Sequence, residues 1–312
     1  MAFWMILICS CGKADDTDYR QKMRDFVMDI SQYARVAAPH FIIVPQNGVD
    51  LASMNGEHDG SAAIDYLQSI DGVGQEDLRY GYDNDDQATP MDEQGWLLGF
   101  LNLVKDQGKS VLVTDYCSTI SHVDDSYQQN QAAGFISFAA SHWDLDNIPS
   151  YPAQPHNSNA LALNELSQAR NFLYLIDPSL YASTDQFIAA LDATNYDCLI
   201  IDAFVEDTML TAAKLNELKT KPNGTRRLVI SYLSIGEAED YRYYWDPSWN
   251  SSPPAWLTGE NPDWEGNYKV RYWDPAWQAI IFGGPTAYLD RIQSAGFDGA
   301  YLDIIDAFEY FE

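Results

Sequence analysis

GFDGAYLDIIDAFEYFE, Gly296 to Glu312, holds the fold signal of this chain in its densest form. Gly296 and Asp298-Gly299 mark a turn, and Ala300-Tyr301-Leu302 reads as a short buried strand. Asp303 sits where that strand runs out, with Asp306 and Glu309 beyond it. Carboxylates at the C-terminal end of a buried strand are where parallel α/β proteins place their chemistry.

Working outward, the same signature recurs. Apolar runs lie at Phe41–Val44, Ile70–Gly74, Val111–Thr114, the GFISFAA stretch from Gly134, Phe172–Ile176, Cys198–Ile201, Leu228–Leu233 and Tyr268–Arg271. With the terminal run they make nine candidate strands. Between them, residues 18–37, 61–68, 92–107, 184–193, 207–219 and 276–294 have helical spacing. Strand–helix alternation with polar strand ends predicts a parallel sheet with helical crossovers. No glycine-rich phosphate loop follows the first strand, as a doubly wound sheet would usually have, so the α/β class expected is a (β/α)8 TIM barrel. Residues 147–170, with Pro149, Pro152 and Pro155, read as a linker, and residues 18–312 as one barrel around it.

Composition narrows the partners. The net charge is −28 over 312 residues, which argues against nucleic acid, because phosphate binding needs clustered Lys and Arg. Such a charge suits a cationic ligand and equally suits plain solubility outside the cell. Residues 1–17 open with MAFWMILICSC, an apolar run too short to span a bilayer and shaped like an export signal. Ile8-Cys9-Ser10-Cys11 resembles a bacterial lipobox, which implies lipidation of Cys11 and an extracytoplasmic, membrane-anchored protein. A buried N-terminal strand is the other reading. Cys117 and Cys198 fit no zinc or redox spacing and are expected as core thiols. The five histidines show no ligand spacing, and neither a metal nor a cofactor is expected.

Three long stretches carry a resemblance: LVISYLSIGEAEDYRYYW (228–245), NPDWEGNYKVRYWDPAWQ (261–278) and GFDGAYLDIIDAFEYF (296–311). They resemble the bacterial polygalactosaminidase-like proteins, glycoside hydrolase family 114 and relatives. FIIVPQNG, IDGVGQEDLRYG and GKSVLVTDY extend the resemblance into the N-terminal half. In that family the segments similar to 171–312 come first and those similar to 18–146 follow, so the order implies circular permutation or a piece of a tandem duplication. If the chain is permuted, the terminal strand is expected beside Phe41–Val44.

Glycoside hydrolysis generally uses two carboxyl groups that flank the scissile bond. Asp303 matches the family's strand-end aspartate and Glu76 its later glutamate, so the resemblance implies Asp303 as nucleophile and Glu76 as general acid/base of a retaining enzyme. Asp202, Glu237, Glu239 and Asp306 are expected to bind sugar hydroxyls or amines, or to tune the pair by like-charge proximity. Arg271 is expected at a strand end, paired with an acid. Asn47, Asp115, Tyr116, Tyr174 and Tyr232 are expected at strand ends facing the cleft. Tyr243, Tyr244, Trp245, Trp249, Trp256 and Trp264 would supply stacking platforms for sugar rings, or would pack their own loop onto the barrel. The implied function is hydrolysis of an amino-sugar polysaccharide, α-1,4-linked galactosamine. The alternative is a non-catalytic carbohydrate-binding lipoprotein.

Overall fold

Eight of the apolar runs form parallel strands in the computed structural model, which describes residues 17–205 and 207–312. They are β1 (Ile42–Pro45), β2 (Gly72–Glu76), β3 (Ser110–Tyr116), β4 (Ile136–Ala140), β5 (Phe172–Leu175), β6 (Cys198–Ile201), β7 (Leu228–Ser234) and β8 (Gly299–Asp303). The lipobox and Cys11 lie outside the described residues. Backbone pairing gives a five-stranded sheet, β1-β8-β7-β6-β5, and a three-stranded sheet, β2-β3-β4. The two sheets meet along β1 and β2, where Gln46 bridges Gly74 and Asp71 N donates to Ile43 O at 2.9 Å. At the opposite edge β4 contacts β5 without a hydrogen-bonded ladder. The fold is thus mixed α/β with parallel sheets.

Helices α1 (Tyr19–Ala37), α2 (Ile64–Ser69), α3 (Met91–Asp106), α4 (Ile120–Ala133), α5 (Thr184–Asp192), α6 (Ala212–Leu218), α7 (Pro275–Ile281) and α8 (Tyr288–Ala295) alternate with the strands. In α1, Met23, Phe26, Val27, Ile30 and Ala34 are fully buried at helical spacing, which is what an amphipathic helix packed on a sheet requires. The Asp18 carboxylate caps it by accepting from Gln21 N at 2.8 Å. No described helix is long and apolar enough to cross a membrane.

The terminal strand does lie beside the first: Ile42, Ile43, Val44 and Pro45 pair in parallel with Gly299, Ala300, Tyr301 and Leu302. Gly299 is needed there, because a Cβ would stand 2.5 Å from the Ile42 carbonyl oxygen.

Two elements differ from the sequence reading. Asn267–Val270 is not a strand of the parallel set; it pairs antiparallel with Glu237–Glu239 and Leu257–Glu260. Its residues are mostly half-buried, whereas a central parallel strand is covered on both faces. Helix α4 has no counterpart in the reading because half its buried face is polar: Ser126 and Asn130 are buried with Val123 and Tyr127.

Residues 147–170 are packed, not loose. Asn159 Nδ2 donates to Asp197 Oδ2 at 2.7 Å, and Leu163 is fully buried. Lys221 Nζ donates to Asp197 Oδ1 at 2.8 Å and to the Asn159 and Leu161 carbonyls at 3.3 Å. Both charged side chains of this pair are 0% exposed. Removing one partner of a buried pair leaves an uncompensated charge. Lys221→Met should therefore cost about 3–5 kcal/mol, read as a lower urea midpoint in equilibrium unfolding.

Candidate active site

Strand alternation decides which side chains meet, because successive residues face opposite sides of a sheet. In β8, Tyr301 and Asp303 share one face, and they pair in register with Tyr232 and Ser234 of β7. In β2, Gly74 and Glu76 take that face. Gly74 is required, since a Cβ would stand 1.8 Å from the Tyr301 hydroxyl oxygen. The result is a cleft of about 600 Å³ at the carboxyl ends of the strands, over a floor that includes Tyr116, Tyr174 and Tyr232.

Of the residues expected to act together, Asn47, Glu76, Tyr116, Tyr174, Asp202, Tyr232, Glu237, Glu239, Asp303 and Asp306 all line this cleft. Tyr232 OH donates to Asp303 Oδ2 at 2.8 Å. Asn47 Nδ2 donates to Glu76 Oε2 at 2.8 Å, and Tyr116 OH donates to Glu76 Oε1. Each carboxyl is therefore aimed by a strand-end donor. Asn47, Asp77 and Ile304, which follow or adjoin the ends of β1, β2 and β8, all have left-handed backbone, with φ of 59°, 60° and 57°. Such conformations are costly without glycine and cluster where a site over-determines its geometry.

Electrostatics follow from crowding. Burial and the nearby Glu76 carboxylate push Asp303 up to about 8. Burial and Glu309 push Asp306 up to about 7. Burial also raises Glu237, against hydrogen bonds from Tyr310 and Asn261. Arg242 is the cation that pairs with this cluster among the described residues. Arg242 donates to both Asp202 oxygens at 2.9 and 2.7 Å and to Glu239 at 2.6 and 3.1 Å. Planar guanidinium geometry makes such forked contacts strong and directional.

Two expected site residues lie elsewhere. Asp115 precedes Tyr116 and so faces away from the cleft, fully buried, with Ser126 Oγ at 2.6 Å and Asn130 Nδ2 at 2.8 Å. Arg271 is exposed beyond the antiparallel sheet and makes no ion pair among the described residues; the pairing role expected of it falls to Arg242. Of the six loop aromatics, only Trp264 lines the cleft. Trp256 packs on Trp277 with ring centroids 5.1 Å apart, and Tyr244 OH accepts from Glu239 N at 3.0 Å, a contact that holds the loop to the antiparallel sheet. Trp143, unforeseen, joins Trp264 at the cleft with centroids 4.7 Å apart. Tyr241, Asn261 and Tyr310 were also missed; their loop sequences carry no periodic signal, though RYYW contains the arginine that matters.

His142, Asp144 and Asp146 place donor atoms within 4.8 Å of one another beside the cleft, against the reading that no histidine has ligand spacing. His142 Nδ1 faces Asp144 at 3.4 Å and Nε2 faces Asp146 at 3.2 Å. The two carboxylates thus lie against opposite nitrogens of the same ring.

Gly236 ties the two acidic motifs together. A Cβ there would stand 2.0 Å from the Ile304 carbonyl oxygen, and backbone cannot swing aside as a side chain can. Gly236→Ala should cost about 1–3 kcal/mol, seen in thermal melts. It should also push the Asp303–Asp306 turn out of place, seen as lost ligand binding at temperatures where the fold persists.

Comparison with known proteins now bears on this geometry. An uncharacterized protein of Methanocaldococcus jannaschii is 41% identical over 179 residues, 56% of this chain and 49% of its own length. Uncharacterized proteins of Deinococcus radiodurans (46% over 121 residues; 38% of this chain, 36% of that one) and Thermotoga maritima (51% over 81 residues; 26% and 24%) are also similar. The chain thus spans less than half the length of each. Residues 176–311 match the model of glycoside-hydrolase family GH114. That span, less than half of the chain, holds Asp202, Tyr232, Glu237, Glu239, Arg242, Asp303 and Asp306, and over it the chain is similar to the GH114 glycoside hydrolases.

Proposed function

We propose that this chain is a retaining glycoside hydrolase that cleaves an amino-sugar polysaccharide, with α-1,4-linked galactosamine as substrate. The single observation that supports this best is the aimed pair: Asp303 held by Tyr232, Glu76 held by Asn47 and Tyr116, in one cleft of strand ends. Asp303 attacks the anomeric carbon while Glu76 protonates the departing glycosidic oxygen. Glu76 then takes a proton from water, which displaces Asp303 and frees the second sugar. Burial and Glu76 hold Asp303 up at about 8, which favours its protonated form. Attack needs the proton on Glu76. An ammonium group and the growing positive charge at the sugar ring both favour ionised Asp303, so a cationic substrate helps set the proton where the reaction requires it.

The strand order favours a (β/α)8 barrel as the scaffold. The β8–β1 pairing and the reversed order of the family-like segments favour circular permutation, with the proline-rich 147–170 stretch joining the former ends. The proposed location is extracytoplasmic, with a lipid anchor at Cys11 and a polysaccharide, not nucleic acid, as partner.

Hydrolysis of deacetylated α-1,4-galactosamine oligomers, followed by reducing-end release, should fall about a thousandfold or more in Asp303→Asn and Glu76→Gln. Wild type that binds these oligomers without turnover would instead be a carbohydrate-binding protein.

The same substitution predicts a stability effect of definite sign. A carboxyl raised from about 3.9 to about 8 on folding is easier to keep neutral than charged, so wild type loses stability as pH rises through that window. Asp303→Asn removes the charge. Its Tm should exceed that of wild type by more at pH 8 than at pH 5, with a gain on the order of 2 kcal/mol at the higher pH.

A further inference from the structure

A second cavity, of about 650 Å³, adjoins the cleft and shares Asn47 and Glu76 with it. Its volume falls in the range of small-molecule sites, roughly 300–1,000 Å³. It lies between the end of β2 and the start of α3. Its lining includes the aromatic side chains Tyr82 and Trp96 and the acids Asp77, Asp92 and Glu93.

We propose that this cavity is a further saccharide subsite, in which one cationic amino-sugar unit stacks on Trp96 while its ammonium group meets Asp77, Asp92 and Glu93. The assignment rests on the reading of the main cleft as a glycan site, and it extends the bound chain past Glu76.

Several observations carry it. Trp96 is 41% exposed and Tyr82 49% exposed, two aromatic surfaces in one cavity that a bound ring could cover. The Trp96 ring is held edge-on to Phe100, with centroids 5.0 Å apart and planes at 70°, so it offers a fixed face, as stacking on a sugar requires. Asp92 and Glu93 lie in the first turn of α3, where the helix dipole favours acids without any ligand. Asp77 has no such account. It lies outside the helix, at φ 60°, with a buried Oδ1 that has no hydrogen-bond partner among the described residues. Gln75 is a second, independent sign. It is 7% exposed and lines the cavity, and its Oε1 also lacks a partner. Its Nε2 is committed to the Glu76 carbonyl at 2.8 Å, which leaves Oε1 free to accept from a hydroxyl or ammonium donor. Buried polar atoms are ordinarily satisfied, and two unpartnered acceptors in one acidic, aromatic-walled cavity ask for a donor of positive charge. Burial and the neighbouring Glu76 hold Asp77 up at about 8, a strain that a bound cation relieves.

The test uses the full chain in the Asp303→Asn background, so that no ligand is consumed. Fully deacetylated α-1,4-galactosamine disaccharide and hexasaccharide, and the N-acetylated hexasaccharide, are titrated by calorimetry. With Trp96 intact, the deacetylated hexasaccharide should bind best. Trp96→Ala should weaken it on the order of tenfold and leave the disaccharide unchanged. Asp92→Asn with Glu93→Gln should remove the preference for amine over acetamide and flatten the salt dependence. Thermal melts of all variants exclude unfolding as the cause. Equal hexasaccharide affinity with and without Trp96 would overturn the subsite while the hydrolysis assay on wild type still stood. Trp96-dependent binding in a wild type that hydrolyses nothing would keep the subsite and sink the glycosidase reading. No binding of any amino-sugar oligomer would overturn the subsite.

Discussion

Parallel pairing of Gly299–Leu302 with Ile42–Pro45 brings together two halves of the chain that are remote in sequence, and the candidate site exists only across that seam. Glu76 belongs to one half and Asp303 to the other. The seam is reinforced outside the ladder. Arg20 of α1 pairs with Asp50 and Glu312, Tyr33 OH donates to Asp290 at 2.7 Å, and Gln293 Nε2 donates to the Ala34 carbonyl at 2.8 Å. Tyr19 packs against Trp273 and Phe311. The glycine at position 299, where any Cβ would strike the Ile42 carbonyl, is the sequence-level condition for that closeness.

Crowded carboxylates are the second constraint. Asp202, Glu237, Glu239, Asp303, Asp306 and Glu76 line one cleft, and among the described residues the ion pairs there draw on the guanidinium of Arg242. Coulomb repulsion among buried acids is relieved in two ways: by pairing, as at Asp202 and Glu239, or by holding a proton, as at Asp303 and Asp306. Tyrosine hydroxyls donate to acids of both kinds without adding charge, Tyr241 to Glu239 and Tyr232 to Asp303. The cleft is therefore strongly acidic, with burial and neighbouring acids favouring the protonated form of its central Asp303.

How much of this was legible in the sequence depends on whether a residue's role follows from local pattern. The apolar runs located all eight parallel strands, and acids at their ends pointed to nine of the cleft residues named in advance besides Tyr174. Period-two alternation should have removed Asp115, since Tyr116 and Asp115 cannot both face the cleft. Helix α4 went unread because Ser126 and Asn130 occupy its inner face, and they do so to satisfy Asp115: one misplaced acid and one missed helix are the same fact. Arg242 escaped because nothing in YRYYW tells which side chain turns back toward β6. Trp143 escaped because its partner, Trp264, lies on a separate loop.

The seam also fixes an order of events during synthesis. β1 leaves the ribosome long before β8 is made, and until residues 299–303 emerge one edge of β1 has no partner. An unpaired edge of Ile-Ile-Val is a template for wrong pairing, and contacts so distant in sequence form late. Nascent protein therefore spends most of its translation with Glu76 in place and Asp303 absent. Chaperone demand, and sensitivity to anything that stalls the ribosome before Asp303, are written into the topology.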